Sequence, residues 1–268
     1  MLYCTYKFRG KLFMKLKLED VSIEFDFTMD CPYWRGFWDK GTMGHIGCDP
    51  DVKSPMLRKY HQVLWSKPLP NGNAFDLEFG KSSDYLKYQD IRFGSDSIIT
   101  SFRYKKTKLL IEEVQKKVDW VPWIERFLHE NYTIGGTIIF PKHVNSINGQ
   151  RGMNPYICDR FDLTLECIRR YYSGITDYQQ NPLGWVLKKD SNFFDLFLDF
   201  KGYCDFFFLQ DCVSDDYSTV HMWIPTIPFT SKHPFPRNTD EYFLWTETSR
   251  KVVHLRNKRI QDYVQQNI

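Results

Sequence analysis

The stretch D-R-F-D-L-T-L-E-C-I-R-R-Y-Y, Asp159 to Tyr172, reads as the clearest helix of the chain. Phe161, Leu165, Ile168 and Tyr172 recur at spacings of four, three and four, which lines one face of a 3.6-residue period with core-forming side chains. Asp159 is the expected N-cap, and acidic residues early in a helix suit its positive end. Just upstream, N-S-I-N-G-Q-R-G, Asn145 to Gly152, reads as a glycine loop with a turn at Asn148-Gly149. Further upstream, Thr133 to Phe140 is an apolar, β-branched run closed by Pro141, the pattern of a buried strand. The pair Gly135-Gly136 inside it marks a bulge or a close backbone approach.

Outward from this centre the signals mix. V-S-I-E-F-D-F, Val21 to Phe27, alternates with period two and predicts a strand, as do F-D-L-E-F from Phe75 and the run Ser97 to Tyr104. Between the first two, Cys31 to Pro55 reads as a long loop, Leu57 to Trp65 as a short helix, and K-P-L-P-N-G from Lys67 as a turn. Lys108 to His129 has a helical pattern that Pro122, between Trp120 and Trp123, should break or kink. Phe193 to Leu209 is so rich in aromatics that strand and buried helix cannot be separated by period. Asn238 to Gln266 predicts a long terminal helix capped at Asn238 or Thr239. Helices so unevenly spaced do not suit regular βαβ winding. The expectation is α+β: one domain over residues 1–268 with a mixed or antiparallel sheet, packed helices and a long C-terminal helix. An alternative start at Met14 would make residues 1–13 an extension.

Composition narrows the function classes. The chain has 268 residues, enough for a core without disulfide or metal staples. Its 36 basic and 33 acidic residues leave a charge of +3, too balanced for coating nucleic acid by charge alone, although a local basic patch is compatible. The basic run R-K-V-V-H-L-R-N-K-R from Arg250 reads first as a solvated helix face. No apolar run approaches the ~18 residues of a membrane span, and lysines interrupt the only apolar N-terminal stretch, so no membrane partner and a cytoplasmic location are expected. Seven cysteines without one C-x-x-C predict free thiols and no metal.

Chemistry could sit in three places. Gly149-Gln150-Arg151-Gly152 lets backbone N–H groups converge on an anion beside an arginine fork, and also fits a bare G-x-x-G. A plain turn is the structural alternative. In the following helix, Asp162 and Glu166 lie four apart and Glu166 can pair with Arg169 and Arg170, either as a salt-bridge ladder or as a set facing a cleft. R-F-G-S-D-S-I-I from Arg92 puts an arginine and a small hydroxyl side by side, suited to a phosphate or ribose; a tight turn is its structural reading. His61, in Y-H-Q-V-L-W-S-K, is a further candidate base. No H-E-x-x-H, G-x-S-x-G or G-x-G-x-x-G occurs, so zinc peptidase, serine hydrolase and Rossmann dehydrogenase readings lack support.

F-D-F-T from Phe25, Y-H-Q-V-L-W-S-K-P-L-P-N-G, R-F-G-S-D-S-I-I, Y-T-I-G-G and R-F-D-L-T-L-E-C-I-R-R-Y-Y together resemble an uncharacterised bacterial domain family, from about Val21 to Tyr217. The resemblance implies one domain and carries no assigned activity. By analogy with ADP-ribosylating toxins and phage-defence proteins, the enzyme reading is ADP-ribosyl transfer from NAD to nucleic acid or protein. Glu166 would be the catalytic carboxylate with His61 assisting, Arg92 or Arg151 would hold phosphate, and Tyr171 or Tyr172 would stack on nicotinamide. Ser95, Asn148, Arg160 and Arg169 would complete the NAD contacts, and a neutralising protein would be the partner of such a toxin. The alternative is a non-catalytic module that binds nucleic acid or another partner.

Overall fold

The computed structural model describes residues 16–30, 50–80, 85–99 and 104–268. Four strands form one sheet in the order β1-β2-β3-β4: β1 (Glu78–Phe79), β2 (Leu86–Tyr88), β3 (Ile91–Ser97) and β4 (Thr137–Pro141). Every pairing is antiparallel, and the long one sets Phe93 opposite Pro141 and Ser97 opposite Thr137. The sheet is thus antiparallel rather than mixed, and the fold is α+β.

Ten α-helices accompany it among the described residues: α1 (Pro50–Lys53), α2 (Pro55–Trp65), α3 (Tyr104–Gln115), α4 (Trp120–Asn131), α5 (Ile147–Met153), α6 (Phe161–Tyr172), α7 (Gly184–Lys189), α8 (Ser191–Phe194), α9 (Phe200–Phe206) and α10 (Thr239–Gln266). Helix α2 starts where its residues dictate: Ser54 accepts a hydrogen bond from the Leu57 N–H, and Pro55 opens the first turn. The expected break in the Lys108–His129 pattern is a full interruption between α3 and α4. Pro122 then lies in the first turn of α4, where its missing N–H costs nothing. The Phe193–Leu209 segment is helical, through α8, the turn Asp195–Phe197 and α9. Its rings, with Tyr203 and Trp65, form a T-shaped and tilted aromatic cluster in the core.

Helix α10 carries the N-cap expected at Asn238, whose side chain accepts from the Glu241 N–H. It packs across α4 and the turn Ile134–Gly136. Gly135-Gly136 is therefore a close approach rather than a strand bulge, and what approaches is the protein itself. A Cβ on Gly136 would stand 1.7 Å from the Asn131 carbonyl oxygen, and one on Gly135 2.5 Å from Asn257 Oδ1. The buried Arg256 completes the clamp by donating to the carbonyls of Phe207, Gly135 and Thr137.

Several expectations are corrected. Val21–Phe27 is not a strand: it runs between 3-10 turns at Leu18–Asp20 and Phe27–Asp30. Asp26 accepts from both the N–H and hydroxyl of Thr28, a local bond that competes with a ladder, and Phe25 and Phe27 both pack on Tyr60. Of the strand expected over Ser97–Tyr104, Ser97 ends β3, Ile98 and Ile99 are outside it, Tyr104 opens α3, and residues 100–103 lie outside the described residues; R-F-G-S-D-S is β3 rather than a tight turn. F-D-L-E-F contributes only Glu78–Phe79. Asn145–Gly152 is not a glycine loop: the chain turns at Asn145, whose φ is +62°, and Asn148 and Gly149 are helical in α5. Asp159 is not an N-cap: it has φ +65°, and the capping position is one residue later, at Arg160, with no side-chain cap bond. Residues 1–13, most of the Cys31–Pro55 segment, and Cys4, Cys31 and Cys48 lie outside the described residues. Cys158, Cys167, Cys204 and Cys212 are buried thiols outside any disulfide.

Candidate functional site

Strand β3 organises the polar residues because successive side chains leave it on opposite faces. Ser95 points toward α2 and Asp96 toward α5. On the α2 side, the Trp65 indole N–H donates to His61 Nδ1 at 2.8 Å. That fixes the remaining ring proton on Nε2, which donates to Ser95 Oγ at 3.0 Å. Ser95 in turn donates to Asp51 Oδ1 at 2.9 Å. The Asn148 amide adds a bond to the Ser95 carbonyl. Burial, then the charge of Arg256, pushes His61 down to about 3, so the ring is neutral. A ring whose only lone pair is taken by an indole cannot take a proton from Ser95. The polarity runs from indole to carboxylate, opposite to a serine nucleophile activated by histidine.

On the α5 side Arg151 is interior. Its guanidinium donates to Asp96 Oδ2 at 2.8 Å, the Ser97 carbonyl at 3.0 Å, the Asp159 carbonyl at 2.6 Å and Thr164 Oγ1 at 3.3 Å. Asp159 Oδ1 is 3.9 Å away. Burial first, with the charge of Asp159, raises the Asp96 carboxyl against the pull of Arg151. All three guanidinium nitrogens thus tie β3, α5 and the start of α6 together, and at 1% exposure Arg151 is too buried to grip a ligand phosphate.

The remaining candidates separate. Arg160 is buried against Asp162 and the Pro234 carbonyl, and Asp162 also accepts from the Trp223 N–H. Glu166 accepts from Arg169 Nε and Nη2 and from Arg170 Nε, at 2.7, 2.9 and 2.7 Å. Burial alone would raise its carboxyl, but these guanidinium bonds outweigh it and hold the group below the usual carboxylate range. Glu166 thus pairs with both arginines as in a ladder, but it is buried rather than solvated, and Asp162 pairs with Arg160 instead. Tyr171 packs on Tyr172 and Phe194.

Arg92 reaches a different place. It lies on the exposed face of β3, its guanidinium 5.0 Å from the ring centre of Tyr85. The Lys142 N–H donates to the Arg92 carbonyl, and the Lys142 side chain crosses Gly94, where a Cβ would meet its Cδ at 2.9 Å. Arg92, Lys142, His143 and Lys189 line a cavity of about 390 Å³ together with Asp190 and Asn192. Asp190, the only carboxylate among these lining residues, is turned to His143 Nε2 and to the Ile147 N–H. Lys189 donates to the Val144 carbonyl. No carboxylate pairs with Arg92, Lys142 or Lys189 among the described residues.

The structure therefore joins His61, Ser95 and Asn148 in one network and sets Arg151 against its back, while Arg92, Arg160, Glu166–Arg169 and Tyr171 stand apart. Glu166 and Arg151 are not among the residues lining the Arg92 cavity. Sequence reasoning missed Asp51, Lys142, His143 and Lys189. The lysines are ordinary in sequence, and only the β3–β4 pairing makes Lys142 a neighbour of Arg92.

The described residues contain no group of three His, Cys, Asp or Glu side chains placed to hold a metal, and no helix long and apolar enough to cross a membrane. A family model described as a family of unknown function (DUF6994) matches residues 21–260. The chain belongs to this family. The match takes in the sheet, the His61–Ser95 network, the basic cavity and most of α10. No curated protein and no solved structure matches the chain.

Proposed function

We propose that the protein is a binding module for phosphate-bearing ligands, nucleic acid foremost, with the phosphate seated between Arg92, Lys142 and Lys189. One observation carries this reading. Three cations from β3, the end of β4 and the end of α7 line one cavity, and its only lining carboxylate is already engaged by His143 and a backbone N–H. An arginine fork grips two phosphate oxygens and lysines add point charges. Tyr85 beside Arg92 offers a ring on which a base stacks.

Fluorescence anisotropy with a labelled single-stranded oligonucleotide, repeated over a range of salt, tests it. The double variant Arg92→Ala with Lys142→Ala should weaken binding at least about tenfold and lower the salt slope by roughly 0.7 per lost phosphate contact. Glu166→Gln should bind as the wild type does, because Glu166 is outside the cavity. Unchanged affinity in the double variant would sink the proposal. ADP-ribosyl transfer is the second reading, since the cavity's cations suit the pyrophosphate of NAD as well. Nicotinamide release from NAD that disappears in Arg92→Ala would turn the binding module into an enzyme, and persistence of release in Glu166→Gln would place its carboxylate elsewhere.

A further inference from the structure

Lys67 closes the segment Y-H-Q-V-L-W-S-K, where α2 gives way to the proline turn. Its amine stands 3.8 Å from the ring centre of Phe208, 4.6 Å from that of Phe206, 4.8 Å from that of Tyr263 and 5.4 Å from that of Trp65. It has no hydrogen bond or ion pair among the described residues. Lys67 also lines a cavity of about 530 Å³, walled on its apolar side by Leu69, Pro70, Phe197 and Leu198. That volume is in the range of small-molecule sites. The two carboxylates at the cavity, Asp199 and Asp205, are occupied. Asp199 caps the Gly202 N–H, and Asp205 accepts from Lys201, Gln210 and Tyr217.

An ordinary lysine is protonated at neutral pH and has no lone pair to react with. Here burial, then the charge of Arg256, pushes the amine down to about 7, which leaves much of it as free base. The four ring faces act in the opposite sense and stabilise a positive charge at that nitrogen.

We propose that Lys67 is a carbonyl-reactive lysine that forms an imine with a small apolar aldehyde or ketone entering this cavity. The amine lone pair adds to the carbonyl carbon, the C=O π bond breaks, and the oxygen takes up a proton as the nitrogen sheds one, giving a carbinolamine. The hydroxyl then takes up a proton from solvent and leaves as water while the nitrogen lone pair forms C=N, which gives the protonated imine. One water is released per imine, and nothing is oxidised or reduced. The product places a cation where four aromatic faces already meet, so the cage stabilises the iminium as it does an ammonium. This site shares no lining residue with the Arg92 cavity, and the two proposals stand or fall separately.

The wild-type protein incubated with benzaldehyde and cyanoborohydride, which traps an imine as a stable benzylamine, tests the proposal directly. Peptide mass spectrometry then ranks every lysine by rate from about pH 5.5 to about pH 10. Lys67 should be labelled at least about tenfold faster than the median lysine at neutral pH, because an ordinary amine is less than about 0.1% free base there. Its rate should reach half its maximum near pH 7. Lys67→Arg should lose only this fast site while keeping its circular dichroism spectrum. Since the assignment is made by peptide on the wild type, it does not depend on that variant folding. Labelling of Lys67 no faster than the median, or a rate that climbs only toward pH 10, would overturn it.

Discussion

At His61 the ring proton sits on Nε2 because the Trp65 indole occupies Nδ1, and that one bond decides what Ser95 and Asp51 can do. It also predicts an acid response. The folded ring titrates near 3 whereas an unfolded histidine titrates near 6.5. Between those values the unfolded chain binds a proton that the folded chain refuses, so stability falls as pH drops through this window and is unaffected above it. The slope is about 1.4 kcal/mol per pH unit for one proton. His61→Gln keeps an acceptor for the indole and a donor for Ser95 but cannot titrate. Urea denaturation at pH 7 and at about pH 4.5 should show a smaller acid loss in the variant by roughly 2 kcal/mol. Equal losses in the two proteins would mean that His61 is protonated in the fold. Every other carboxylate and histidine is common to both, so the difference isolates this ring.

Helix α10 owes its position to backbone approach more than to its own propensity. Its N-cap is a local bond, and Asn238→Ala should cost about 1 kcal/mol. The glycine contact is different in kind. A methyl at Gly136 meets a backbone oxygen that can move only with α4, so Gly136→Ala should cost more than about 4 kcal/mol or prevent folding. Gly135→Ala should fall between, because the amide of Asn257 can swing away while the Val253 carbonyl, 2.8 Å from the added Cβ, cannot. Denaturant midpoints that ranked Asn238→Ala as the worst of the three would show that capping, not packing, holds the helix. Arg256, donating to three carbonyls from inside the same contact, ties α10 to both β4 and the end of α9.

Across the molecule one buried hydrophobic cluster runs from Val21 through the sheet and aromatic helices to Val264 on α10. A core shared by the first and last described segments predicts a single cooperative unfolding transition. Tryptophan fluorescence and far-ultraviolet circular dichroism should therefore report the same denaturant midpoint. Separated transitions would require two independently folding units. The polar features divide on the same scale: the basic cavity opens at the β3–β4 end of the sheet, and the caged lysine faces a second cavity between α2, α9 and α10.

What the amino-acid order determined by itself was whatever depends on near neighbours. The helix over Asp159–Tyr172 was legible from its 3.6-residue period though not from its cap, the one over Asn238–Gln266 from its cap at Asn238, and the break near Pro122 from the proline itself. His61, Ser95 and Asn148 were legible as site candidates, and they do meet. Val21–Phe27 shows the limit. Alternation makes a strand only where an edge is available to pair with, and Asp26 spends the local backbone bonds on a turn instead. Arg151 looked like a ligand fork because its neighbours are glycines, yet the residues that bind it come from β3, Asp159 and α6. Lys142 becomes the neighbour of Arg92 only through a strand pairing closed across two helices. The Lys67 cage likewise draws rings from α2, α9, its trailing turn and α10. Such groupings are set by long-range closure of the chain around its core, and no local period or spacing encodes them.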